Sequence, residues 1–211
     1  MQQITRKDIA GMERLYRGRL INSLSGFKSV NLLGTVNSEG QTNLAMISSV
    51  VHIGANPPLV GFISRPISVP RHSYQNITAT GFYTLNHIHA DIYQQAHQTS
   101  ARYDAGTSEF DATGLTAEFR GDFAAPYVAE SRLKIGLQFR EQFDITLNDT
   151  ILVVGEIQEI WLPEDVLGED GHVDIERAGS ITCSGLDTYH KTERLQRLSY
   201  AKPDRKPKPL E

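Results

Sequence analysis

The stretch SRPISVPRHSYQNI, residues 64–77, gathers Ser64, Arg65, Ser68, Arg71, His72 and Ser73 between an apolar run and a segment of helical composition. Such a junction suits an anion. A helix beginning near Ser68–Pro70 leaves the N–H groups of its first turn without intrahelical partners, and the helix dipole adds positive potential there. Arginine offers a planar fork of donors matched to phosphate oxygens, and serine adds a short neutral donor. Cations in a first turn oppose the dipole, so they reward a negative ligand rather than the bare helix. The alternative use of Arg65 and Arg71 is pairing with carboxylates elsewhere on the surface.

The distribution of acids points the same way. The chain has 25 Asp and Glu in 211 residues, yet residues 41–90 contain none. That window holds Arg65, Arg71, His52, His72, His87 and His89. A surface that binds an anion excludes carboxylates, because like charges beside a desolvated site are costly. Buried strands also lack acids, but burial does not account for clustered arginines. Upstream, Ser48 and Ser49 stand where a strand would prefer β-branched residues. Small hydroxyls at a strand end let a flat polar ligand approach the backbone.

The elements that position these residues are mostly strands. Ser29–Val36 and Gln41–Val51 form a hairpin around the turn Asn37–Gly40. Asn56-Pro57-Pro58 halts the chain, and Leu59–Ile63 is a continuous apolar strand, expected near the centre of the sheet. A helix opening at Pro70 ends at Gly81, followed by a strand Phe82–Asn86 and a short helix over Ala90–Gln98. Residues 132–145 alternate apolar and polar, and Asn148-Asp149 turns them into the strand Thr150–Leu162. Strands outnumber helices and arrive in hairpins, so the fold class is mainly β, an antiparallel barrel with a few short helices. Residues 1–211 make one domain, with 201–211, rich in proline and basic residues, as an extended tail.

Composition narrows the function. Charged residues at 22% and hydrophobic residues at 39% are ordinary for a soluble chain. A net charge of −4 gives no general attraction to nucleic acid or to an anionic membrane. No run approaches the ~18 apolar residues of a membrane span. The N-terminus is charged throughout and has no signal-peptide core, so the expected compartment is the cytoplasm. Cys183 stands alone, without a C-x-x-C partner. His87-x-His89-x-Asp91 could begin a metal site, which would make the chain a metal-dependent hydrolase. LGEDGHVDIE lacks the alternating acids of a calcium loop and suits a turn entering a short helix. Trp161 suits a core or interface anchor. No G-x-G-x-x-G, P-loop or G-x-S-x-G motif is present.

In order along the chain stand N-x-A-x-x-S-S (43–49), N-P-P-L-V (56–60), S-R-P (64–66), R-H-S-x-x-N-I (71–77) and T-G-x-Y-x-x-N (80–86). Together they resemble the flavin reductase-like, FMN-binding split-barrel family, and SGLDTYH (184–190) resembles its flavoredoxin-like branch. The resemblance implies an antiparallel split β-barrel, a homodimer, and FMN in a groove at the subunit interface. Asn43, Ala45, Ser48 and Ser49 would face the flavin ring and ribityl chain, with Val50 nearby. Ser64, Arg65, Arg71, His72 and Ser73 would hold the phosphate, Arg71 and Ser73 standing where many relatives carry lysine and threonine. Asn86 and His87 would lie near the ring edge. The implied activity is hydride transfer from NADH or NADPH to flavin N5, with electrons passed to an acceptor protein or monooxygenase. No acid–base residue is implied, since the protein supplies position and electrostatics. A flavoredoxin-type electron carrier, with little NAD(P)H activity, is the alternative.

Overall fold

The computed structural model describes residues 1–104 and 106–210. Two helices, α1 (Arg6–Gly11) and α2 (Arg14–Leu24), lead into β1 (Lys28–Ser29), β2 (Asn31–Val36), β3 (Thr42–Ile47), β4 (Val51–Ala55) and β5 (Pro58–Ser64). Next come α3 (His72–Thr80), β6 (Phe82–His87), α4 (Tyr93–Gln98) and α5 (Glu109–Thr113). The short strands β7 (Ala117–Glu118) and β8 (Tyr127–Val128) precede the two longest, β9 (Lys134–Ile145) and β10 (Thr150–Trp161). The chain closes with β11 (Thr182–Ser184), β12 (Thr188–His190), β13 (Arg197–Leu198) and β14 (Pro209–Leu210). No helix among the described residues is long and apolar enough to cross a membrane.

Seven strands form one antiparallel sheet in the order β3-β2-β6-β9-β10-β5-β4. Its two edge strands, β3 and β4, are joined by only Ser48, Ser49 and Val50. Those three residues and their flanking bonds reach at most about 15 Å. Seven flat strands would span roughly 29 Å at the usual inter-strand spacing. The sheet is therefore rolled until its edges nearly meet, which makes a split β-barrel.

The expected single strand Gln41–Val51 is accordingly two strands on opposite edges of the sheet. The strand around Leu59–Ile63 is sixth of seven, not central, and β9 holds the middle place. β5 pairs with β10 on one side and with β4 on the other. The helix begins later than its composition suggests. Arg71 is the N-cap residue of α3 rather than part of its first turn, while Gly81 ends it in the left-handed conformation, φ 78°. The turn 37–40 forms as expected, with Asn37 Oδ1 accepting from the Glu39 and Gln41 N–H groups. After the 3-10 turn Glu164–Val166, the bridge Leu167–Val173 is followed by turns, and no helix follows LGEDGHVDIE. The last residues are exposed but not simply extended, because β14 folds back on β13.

Alternation along β2 divides the core. Leu33 packs inside the barrel with Phe62, Ile77, Tyr83, Leu85, Leu137, Ile151 and Val153. Leu32 faces outward with Leu44, Ile88, Ile92, Ala96 and Phe110, under α4 and α5. Because Leu44 belongs to the outer cluster, its neighbours Asn43 and Ala45 point to the other face of β3. Thus α3 packs one face, with Ile77 and Tyr74, on the barrel's inner cluster, and α4 and α5 cover β3 from without.

Candidate functional site

A cavity of about 560 Å³ opens where β3 approaches the end of β5. Its walls come from Asn43 and Ala45 on β3, from Ser64 and Arg65 at the end of β5, and from Arg71, His72 and Ser73 at the start of α3. Seven of the twelve residues singled out in the sequence therefore share one cavity. Asn43 Nδ2 donates to Ser73 Oγ over 2.9 Å, which ties the strand wall to the helix start. No side chain caps α3, and its first turn carries no acid. Its leading N–H groups thus keep their positive potential for something outside the helix.

Two further contributors lie outside the acid-free window. The segment following α4 brings Arg102 and Asp104 to the cavity, and α5 brings Glu109. Arg65, Arg71 and Arg102 make no ion pair among the described residues. Among the described residues the Arg71 side chain donates only to the Pro66 carbonyl, Nε to O 3.1 Å. Burial, then the charges of Arg65 and Arg102, pull the Arg71 guanidinium below its usual range. Three guanidinium groups without an ion-pair partner among the described residues thus stand beside an uncapped helix start.

Glu109 is 9% exposed and accepts the Leu44 N–H over 2.9 Å. That N–H belongs to edge strand β3, so the carboxylate replaces a missing ladder partner. Burial pushes the Glu109 carboxyl up, although the Leu44 N–H and the His72 charge oppose the shift.

The other five singled-out residues lie elsewhere. Ser48, Ser49 and Val50 form the β3–β4 crossover. Ser49 Oγ accepts the Ile63 N–H at 3.0 Å and donates to the Ile63 carbonyl at 3.2 Å, so its hydroxyl extends the ladder in place of backbone. Val50 packs on the interior cluster. Asn86 is fully buried and holds strands together. Its Nδ2 donates to Leu32 O and Thr84 Oγ1, and its Oδ1 accepts the Val128 N–H. His87 Nδ1 shares a hydrogen bond of 2.8 Å with Ser180 Oγ, and burial depresses its pKa to about 4.

The histidine series does not make a metal triad. His87 engages Ser180, whereas His89 Nε2 meets the Glu130 carbonyl at 3.0 Å. Among the described residues no group of three His, Cys, Asp or Glu side chains could hold an ion. Cys183 is buried as a packed thiol, and Trp161 donates to Glu159 beneath the Arg120 guanidinium.

Comparison with known proteins agrees with this architecture. Residues 24–180 match the flavin reductase like domain. A candidate flavin reductase with a split barrel domain, from Shewanella frigidimarina NCIMB 400, is 48% identical with a TM-score of 0.92. That match covers 95% of this chain and 100% of the other. Nitrilotriacetate monooxygenase component B from Bacillus cereus shares the fold at 18% identity and a TM-score of 0.82, covering 94% of this chain and 98% of that one. Flavoredoxin of Desulfovibrio vulgaris (Miyazaki F) does so at 20% identity and 0.69, covering 84% and 91%. With three quarters of its length matched and a split barrel built as described, the chain belongs to the flavin reductase-like family.

Proposed function

We propose that the chain is an oxidoreductase that holds FMN in the cavity between β3, β5 and α3 and receives hydride from NADH or NADPH. The observation that carries this reading is the junction of Arg65, Arg71 and the uncapped start of α3, where neither arginine makes an ion pair among the described residues. A flavin phosphate fits these donors. Arg65, Arg71, His72, Ser73 and Ser64 would hold it, while Asn43 and Ala45 would line the ribityl chain and ring. When bound, the flavin supplies a hydride acceptor at N5. The chain's own residues fix its position, exclude water with the Leu33 and Phe62 side of the barrel, and supply positive potential. No cavity residue is required to move a proton.

Two copies complete the assembly in this reading. Helices α1 and α2 bury none of their residues, and Leu15, Tyr16, Leu24 and Phe27 are each more than 60% exposed. A second copy would cover that apolar surface and bring the flavin to a subunit interface. Electrons then pass to an acceptor protein. The shared fold with a monooxygenase component B supports a monooxygenase as one such acceptor.

The test is an anaerobic absorbance titration with FMN, followed by NADPH and then NADH. A bound-flavin spectrum that bleaches identifies a reductase and its donor. Bound flavin that stays oxidised makes the chain a flavoredoxin-type carrier, and no binding removes the flavin reading.

A further inference from the structure

We propose that Arg102 is a third phosphate-binding side chain of this cavity, supplied by an element that none of the junction motifs contains. The inference rests on the flavin reading above and assigns part of its affinity to a residue 31 positions beyond Arg71.

Packing brings Arg102 to the cavity. Thr99 Oγ1 donates to Ala96 O at 2.7 Å and closes α4. Farther on, Ser108 Oγ and Thr42 Oγ1 share a 2.8 Å hydrogen bond, and Glu109 accepts the Leu44 N–H. Ala96 of α4 also shares the outer cluster with Leu44, so both flanks are held to the outer side of β3, and Arg102 reaches the same cavity as the α3 start.

No internal partner explains its place. Among the described residues Arg102 donates no hydrogen bond and makes no ion pair, although Asp104 and Glu109 line the same cavity. It is exposed, so burial of its stem does not account for its position either. It nonetheless lies close enough to Arg71 to disfavour that residue's positive charge. Gathering three guanidinium groups without ion-pair partners raises the free energy of the empty site, and an oxyanion relieves it. A phosphate monoester brings nearly two negative charges and three acceptor oxygens, enough to engage guanidinium groups from two elements.

The test measures FMN and riboflavin affinity in the wild-type chain, Arg102→Ala and Arg102→Lys by flavin fluorescence quenching. FMN affinity should fall about tenfold or more in R102A, the usual effect of losing a hydrogen bond to a charged group. R102K should recover part of it, as a point charge without the fork. Riboflavin affinity and the thermal midpoint should not move. Unchanged FMN affinity, or equal losses for FMN and riboflavin, overturns the assignment. Wild-type protein that binds neither flavin defeats the flavin reading instead. Calorimetric titration with inorganic phosphate then decides the anion site by itself: R102A must bind it more weakly than wild type, and equal binding rejects Arg102.

Discussion

Lowering the pH should weaken this fold through His87. In the folded chain its pKa lies near 4, against 6.5 for the free side chain, and burial is the cause. Between those values the unfolded chain binds a proton at residue 87 and the folded chain does not. Stability is therefore complete above about pH 6.5 and is lost as pH falls toward 4. A gap of about 2.5 pH units, at about 1.4 kcal/mol each, sets an upper bound of about 3 kcal/mol. It is a bound because the residue keeps some contact with solvent. Urea unfolding of wild type and His87→Asn at several pH values between 7.5 and 4 isolates the effect. The variant loses the imidazole at all pH values, so its constant offset is irrelevant and only the slope matters. Carboxylates held low by hydrogen bonds and ion pairs, such as Glu118 and Asp174, titrate in both proteins and cancel. The difference in stability between the two should change by ~1–3 kcal/mol across the window. Parallel curves would show that the folded chain carries a protonated His87, and the burial argument would fail.

Other outcomes follow from the same structure. Arg65→Ala or Arg71→Ala should weaken FMN binding by ~1.5–3 kcal/mol and leave riboflavin untouched, as equilibrium titration with both ligands checks. Ser49→Ala should cost about 1 kcal/mol of stability by stranding the Ile63 N–H, with FMN affinity unchanged, since its hydroxyl serves the ladder. The buried Tyr83 hydroxyl has no partner among the described residues, so Tyr83→Phe should stabilise the fold by about 1 kcal/mol in urea melts. A Cβ added at Gly155 would overlap that hydroxyl, so Gly155→Ala should cost ~1–3 kcal/mol. The cost should shrink in the Tyr83→Phe background, and a double-mutant cycle with no coupling would contradict the contact.

The proposed phosphate junction was legible because its chemistry is written locally. Ser64, Arg65, Arg71, His72 and Ser73 fall within ten residues, and a strand-to-helix turn needs no tertiary information to bring them together. Arg102 and Glu109 had no such signal. They reach the cavity only because α4 and α5 pack on the outer face of β3, a contact that depends on Leu44, Ile92, Ala96 and Phe110 sharing one cluster. The absence of acids in residues 41–90 likewise described one wall, while the opposite wall contributes Asp104 and Glu109. Hairpins were readable from Asn37–Gly40 and Asn148-Asp149, whereas the pairing of β1 with β11 across more than 150 residues was not.

Ser49 shows how strand register decides what a polar residue near a strand end bonds to. The β4–β5 hairpin turns at Asn56-Pro57 and begins with Ala55 opposite Pro58. Continued evenly, that register sets Val50 opposite Ile63 and leaves Ser49 beyond it. A bulge between His52 and Gly54 shifts the pairing, so that Val51 meets Gly61 and Ser49 falls opposite Ile63. One inserted residue exchanges the places of neighbouring positions, because strand side chains alternate between faces. Nothing in SVVHIGAN marks that bulge: Gly54 follows it, but a lone glycine in a strand equally marks close backbone approach. Residue type therefore identified hydroxyls and amides that bond to backbone. Register decided which backbone they serve, and for Ser49 it is the barrel's own.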